Sequence, residues 1–149
     1  MRWRFILAVL VAILAISGVA LGVGVPGALY MGRVALEPHG HRALRFKAYP
    51  HHLSHFHSTR IPLRCNRGAA KIRIRPIEAV RFDNSGRFRL HYESAFLEPG
   101  NGTPVKTDRF TLRGRLVENK AHGIFKYSLH KRSGKHCRSG KLHWTAARH

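Results

Sequence analysis

Acidic residues are scarce, seven Asp and Glu among 149 residues, against 27 Lys and Arg. Glu37, Glu78, Asp83, Glu93, Glu98, Asp108 and Glu118 are scattered along the chain, so nothing supplies the facing carboxylates that glycoside hydrolysis needs. The chain has no Gly-x-Ser-x-Gly segment and no phosphate-cradling Gly-rich loop, which removes the nucleophile-elbow hydrolases and the nucleotide-binding loop proteins. An enzyme is therefore not expected. Helical periodicity is missing beyond the first 32 residues, and there are only two cysteines, Cys65 and Cys137. Apolar residues nevertheless make up 44% of the chain, and disorder requires low hydrophobicity together with high charge. One folded domain is the expectation at this length.

Arg2 and Arg4 precede an uncharged run that extends to Gly32, with Phe5 to Ile16 wholly apolar. A basic start, an apolar stretch and the small residues Gly18 and Ala20 describe a secretory signal peptide. About 20 apolar residues also span a bilayer, so an uncleaved hydrophobic helix over residues 3–23 stands beside that reading. Residues 1–32 are accordingly expected to be a signal peptide or a signal-anchor transmembrane helix. Arg33, Arg42, Arg45 and Lys47 crowd the second flank, but long domains translocate largely regardless of their charge. The remainder is expected outside the cytoplasm, secreted or membrane-anchored. Two thiols in a small exported domain point to one disulfide between Cys65 and Cys137. His136 beside Cys137 does not make a nucleophile with its base, because neighbours on a strand point to opposite faces.

From residue 43 onward apolar and polar residues alternate, the period of half-buried strands. Leu44, Phe46 and Ala48 share one parity, as do Ile61, Leu63 and Cys65, with Pro62 marking an edge or bulge. Ile72 and Ile74 follow, then Val80 and Phe82. Asp83-Asn84-Ser85-Gly86 is a turn by its chemistry, since Asp and Asn bond nearby backbone and Gly accepts positive φ. Phe88, Leu90 and Tyr92 form the return strand. After a loop over residues 98–104, Phe110, Leu112 and Leu116, then Phe125, Tyr127 and Leu129, then Leu142, Trp144 and Ala146 repeat the pattern. The expected fold is all-β: an antiparallel meander of six to eight strands forming a small barrel or sandwich, preceded by one hydrophobic helix. Residues 33–60 read as a His-rich basic connector holding a first strand at 43–49, and residues 61–149 complete the single β domain.

Several motifs recur in order: a Cys ending an early strand, Gly-x-Phe at 86–88, apolar-x-Gly-x-apolar at 112–116, Ala-x-Gly-x-Phe at 121–125, and Cys-x-Ser-Gly-x-x-x-Trp-x-Ala at 137–146. In these the chain resembles a loose group of small exported bacterial proteins that are β-rich and Arg-rich, with two cysteines. The resemblance covers residues 44–148. It implies the β fold, export and the disulfide, and it implies no activity.

Of the 27 bases, 25 follow residue 32, together with all seven acids. If the alternation holds, Lys71, Arg73, Arg75, Arg87, Arg89, Arg113, Arg115, Lys126 and Lys141 face outward and concentrate positive charge on one surface. Such a field favours polyanions and weakens with salt. For an exported protein the expected partner is an anionic cell-envelope polymer or a lipid surface. Nucleic acid is disfavoured, because Phe56, Phe88, Tyr92, Phe110, Phe125, Tyr127 and Trp144 share the aliphatic parity and read as core rather than as a stacking platform. No cofactor is expected. The alternative reading is a metal-handling protein: six of twelve histidines lie between residues 39 and 57, and His51, His52, His55 and His57 have the density to ligate Zn or Cu. Protonation of all twelve histidines would also strengthen polyanion binding below about pH 6.5.

Overall fold

The structure, a computed structural model, describes residues 27–36, 40–100 and 102–149. The period-2 alternation is realised as eleven strands: β1 (Ala28–Ala35), β2 (His41–Ala48), β3 (His52–Ser58), β4 (Ile61–Cys65), β5 (Ala70–Ile72), β6 (Val80–Arg81), β7 (Arg87–Leu97), β8 (Pro104–Val117), β9 (Lys120–Lys131), β10 (His136–Arg138) and β11 (Leu142–Arg148). All pair antiparallel in one sheet that curls into a half-barrel. Among the described residues no helix is long and apolar enough to cross a membrane. The expected hydrophobic helix at residues 3–23 lies outside the described residues.

The described residues form eleven strands rather than the expected six to eight, and the meander holds for β1 to β3, β4 to β5 and β7 to β10 but fails where β3 meets β4, β5 meets β6 and β10 meets β11, which do not pair. β9 pairs along one edge with β8; along its other edge it pairs first with β11, through Lys120 to Phe125, and then with β10, through Ser128 to His130. One branch continues from β11 to β1, β2, β3 and β6, the other from β10 to β4 and β5. The β11 to β1 ladder joins the two ends of the described chain, with Tyr30 opposite Arg148 and Gly32 opposite Ala146. A single bridge between Phe82 and Phe88 ties β6 to β7. Cys65 lies directly opposite Cys137 on β4 and β10, and their sulfurs are bonded at 2.05 Å. This link crosses the second branch.

Trp144 anchors the core, 1% exposed, with Phe46, Phe56 and Phe88 ring centroids 5.5–6.1 Å away. The ladder explains how so large a ring fits. Phe88, Gly114, Gly123 and Trp144 are successive cross-strand neighbours on β7, β8, β9 and β11. A Cβ on either glycine would stand 2.6 Å from Trp144 Cζ2, so the aromatic rings occupy the room that two missing side chains leave. Gly32 is required for a different reason: a Cβ there would come within 1.9 Å of the Thr145 carbonyl oxygen, a backbone atom that cannot swing aside.

Three expectations need correction. Residues 28–32, assigned to the tail of the apolar segment, form most of β1, and the stretch assigned to a connector contains β3. In β1 the alternation is real, with Tyr30 and Val34 buried and Leu29, Met31 and Arg33 outward, but both faces are largely uncharged and the contrast is invisible. In β3 a one-residue bulge opposite Arg45 to Lys47, with His55 at φ 54°, breaks the parity. Tyr92 is not core: it is 55% exposed. The β7–β8 hairpin runs past the body of the sheet, leaving Tyr92, Phe96 and Leu97 uncovered.

Candidate anion-binding trough

The outward faces of β7, β8, β9 and β11 border an open cleft of about 950 Å³. Its outward side chains form two rows across the strands. In the first, Arg87 is opposite Arg115, Arg115 opposite His122, His122 opposite Thr145 and Thr145 opposite Arg33 of β1. In the second, Arg89 is opposite Arg113, Arg113 opposite Ile124 and Ile124 opposite His143. At a strand spacing of about 4.8 Å the first row covers roughly 19 Å. Two adjoining depressions carry the same surface onto β1 and β2, where Arg33, His41 and Lys120 are added. Between the two rows run Phe88, Gly114, Gly123 and Trp144, which also line the cleft.

Electrostatically the trough is one-sided. Like charges directly opposite each other on a sheet are destabilising, yet the four arginines make two such pairs, Arg87 with Arg115 and Arg89 with Arg113. The three ion pairs of the described residues, Lys106–Asp108, Arg109–Glu93 and Arg132–Glu98, all fall on the β7–β8 hairpin or on the turn after β9. Asp83 is the one acid on the trough lining, and the β6–β7 turn already uses it. Its Oδ1 accepts from the Ser85 hydroxyl at 2.8 Å and from the Ser85 and Arg87 amides at 2.8 and 2.9 Å. The Ser85 hydroxyl first, and the Arg87 amide next, hold its carboxyl below the ordinary value. Among the trough arginines, Arg115 Nε donates to the Ser85 carbonyl at 3.2 Å, which fixes that side chain on the rim.

All nine basic residues singled out in the sequence are exposed, but they are not gathered on one surface. Arg87, Arg89, Arg113 and Arg115 line the trough. Lys126 continues the outward side of β9 opposite Thr111, and Lys141 immediately precedes β11. Lys71 lies on β5 opposite Pro62, with Arg73 and Arg75 just beyond it around the buried Ile74, so these three belong to the other branch. Arg33, Arg81, His122 and His143 also line the cleft and its neighbours. His122 and His143 could have been found from parity, since each stands one place from an inward residue on a strand already recognised.

The four histidines do not converge. His51 is exposed, and its carbonyl accepts from the Phe82 amide at 2.9 Å. His52 stacks on Tyr49, centroids 4.8 Å apart. His55 sits at the bulge with Nδ1 2.8 Å from Ser54 Oγ. Arg45 Nε donates to His57 Nε2, which leaves His57 Nδ1 to donate to the His55 carbonyl at 2.9 Å; both ring nitrogens are engaged. Among the described residues no three His, Cys, Asp or Glu side chains are grouped to hold a metal ion.

A second polar cluster lies at the base of the hairpin. Asp108 Oδ2 pairs with Lys106 Nζ at 2.9 Å, and the Asp108 carboxylate lies beside the Tyr127 hydroxyl. Burial, and then the Asp108 charge, push the Tyr127 hydroxyl well above the ordinary tyrosine value, so it stays protonated. Compared with protein families, with curated proteins and with solved structures, the chain matches none.

Proposed function

We propose that this is a non-enzymatic domain, exported or membrane-anchored through residues 3–23, whose basic trough holds anionic polymers or lipid headgroups of the cell envelope. The observation that carries the reading is the pair of directly opposed arginine pairs with no ion-pairing carboxylate among the described residues. Such an arrangement costs stability in the free protein, and an oxyanion between the guanidinium groups offsets that cost by charge-assisted hydrogen bonds. The scattered acids and the engaged Asp83 support the absence of acid–base catalysis.

Retention on phosphocellulose tests it. Four phosphate contacts give a salt slope of about 3, a loss on the order of 100-fold between 50 and 200 mM salt. The quadruple variant Arg87→Gln, Arg89→Gln, Arg113→Gln, Arg115→Gln is expected to elute early and to lose most of that slope. Retention unchanged by the four substitutions would refute the trough as the binding surface.

A further inference from the structure

Resting on that reading, we infer that the occupant of the trough is a linear phosphate polymer without nucleobases, laid across the strands along the row from Arg87 through Arg115 and His122 to Arg33. Three features of the surface select it. The four central cations are all arginine, and guanidinium presents a planar fork that meets two phosphate oxygens at once, where lysine offers a point charge. They stand in a two-by-two block at ladder spacing, Arg87 and Arg89 facing Arg115 and Arg113. A glycan of uronic acids carries one carboxylate per sugar ring, whereas a phosphate chain carries charge at every phosphorus and is the denser match to that block. No Phe, Tyr or Trp stands in the rows to stack on a base: Phe88 and Trp144 turn inward and are 5% and 1% exposed, and Phe82, the third aromatic of the cleft lining, packs against Phe88 with centroids 5.6 Å apart; single-strand binders depend on such platforms.

A flat bilayer is disfavoured by the same surface. Among the described residues, none of the exposed large apolar side chains that would enter a membrane lines the cleft: Tyr92, Phe96 and Leu97 lie on the β7–β8 hairpin, Leu29 and Met31 on β1, and Val117 at the end of β8.

Competition binding with the full chain separates the possibilities. The probes are inorganic polyphosphate, oligothymidylate of equal phosphate count, heparin, and vesicles containing phosphatidylglycerol. Polyphosphate is expected to bind about tenfold or more tightly than oligothymidylate, as base stacking contributes nothing here. Arg87→Gln with Arg115→Gln should weaken polyphosphate binding at least about tenfold, and Lys71→Gln with Arg73→Gln, an equal charge removed from the other branch, less than about threefold. Equal losses from the two double variants would overturn the placement. Tighter binding of oligothymidylate, heparin or vesicles than of polyphosphate would overturn the ligand class while leaving the polyanion reading standing. Binding of no probe at low salt would overturn that reading itself. Arg87→Gln with Arg115→Gln removes a like-charge pair together with the Arg115 hydrogen bond to the Ser85 carbonyl, and a thermal melt checks that the decisive variant is folded.

Discussion

Replacing Arg113 by Gln is expected to stabilise the fold and weaken anion binding in one step. Arg113 faces Arg89 directly across the β7–β8 ladder, and neither enters an ion pair. A like-charge cross-strand pair costs about 0.2–1 kcal/mol. Relief of that repulsion raises the melting midpoint by about 1–6 °C for a domain of this size. The gain belongs to the pair, so Arg89→Gln should give the same increment and the double variant no further one; the coupling term of the cycle equals the repulsion. It also depends on salt. At 0.1 M the screening length of about 10 Å exceeds the cross-strand distance, and at 1 M it is about 3 Å, so the increment should shrink toward zero in concentrated salt. Arg113→Lys keeps the charge and should show no gain. Differential scanning calorimetry at two salt concentrations reads the four variants against the wild type. A destabilised Arg113→Gln at low salt, or an increment that salt does not reduce, would refute the claim that the trough holds unrelieved positive charge.

Three further outcomes follow from the geometry. Cys65→Ser with Cys137→Ser opens a link between residues 72 apart in sequence and should cost about 4 kcal/mol in the chain-entropy account, read from urea midpoints; a loss below about 1 kcal/mol would contradict it. Gly123→Ala would place a methyl 2.0 Å from the Arg113 carbonyl oxygen and 2.6 Å from Trp144 Cζ2, an overpacking cost of at least about 1–3 kcal/mol; a neutral midpoint shift would remove the close-approach explanation. Asp83 has a folded-state carboxyl value lowered by its hydrogen bonds, so its contribution is present above the ordinary carboxylate range and is lost as pH falls through the lowered value. Asp83→Asn should therefore flatten the acid limb of the stability–pH curve, and an unchanged limb would show the turn carboxylate contributes nothing.

How much could be read in advance varied with the element. The β6–β7 turn was fully legible, because Asp83 and Gly86 each have a local chemical reason to be there and Gly86 takes φ 73°. Inward and outward assignments held on β2, β4, β8, β9 and β11. They failed for Tyr92, because parity says which way a side chain points and not whether another strand covers it. β1 escaped notice because uncharged residues occupied both faces, and β3 because one bulge residue, His55, shifts the period. The basic residues were legible as exposed, but the group of nine divided between two branches.

The sequence by itself determined the all-β character, the inside and outside of most strands, the hairpin turn and the excess of positive charge. These rest on covalent geometry and local chemistry: side chains alternate along any strand, and turn residues bond their own backbone. Only the tertiary structure decided that β9 is shared between β11 and β10, that β1 closes against β11, and that Arg87, Arg89, Arg113 and Arg115 meet beside His122, His143 and Arg33. Pairing between strands distant in sequence is chosen by the fit of whole faces. Here that fit turns on two glycines making room for Trp144, a complementarity that no local window contains.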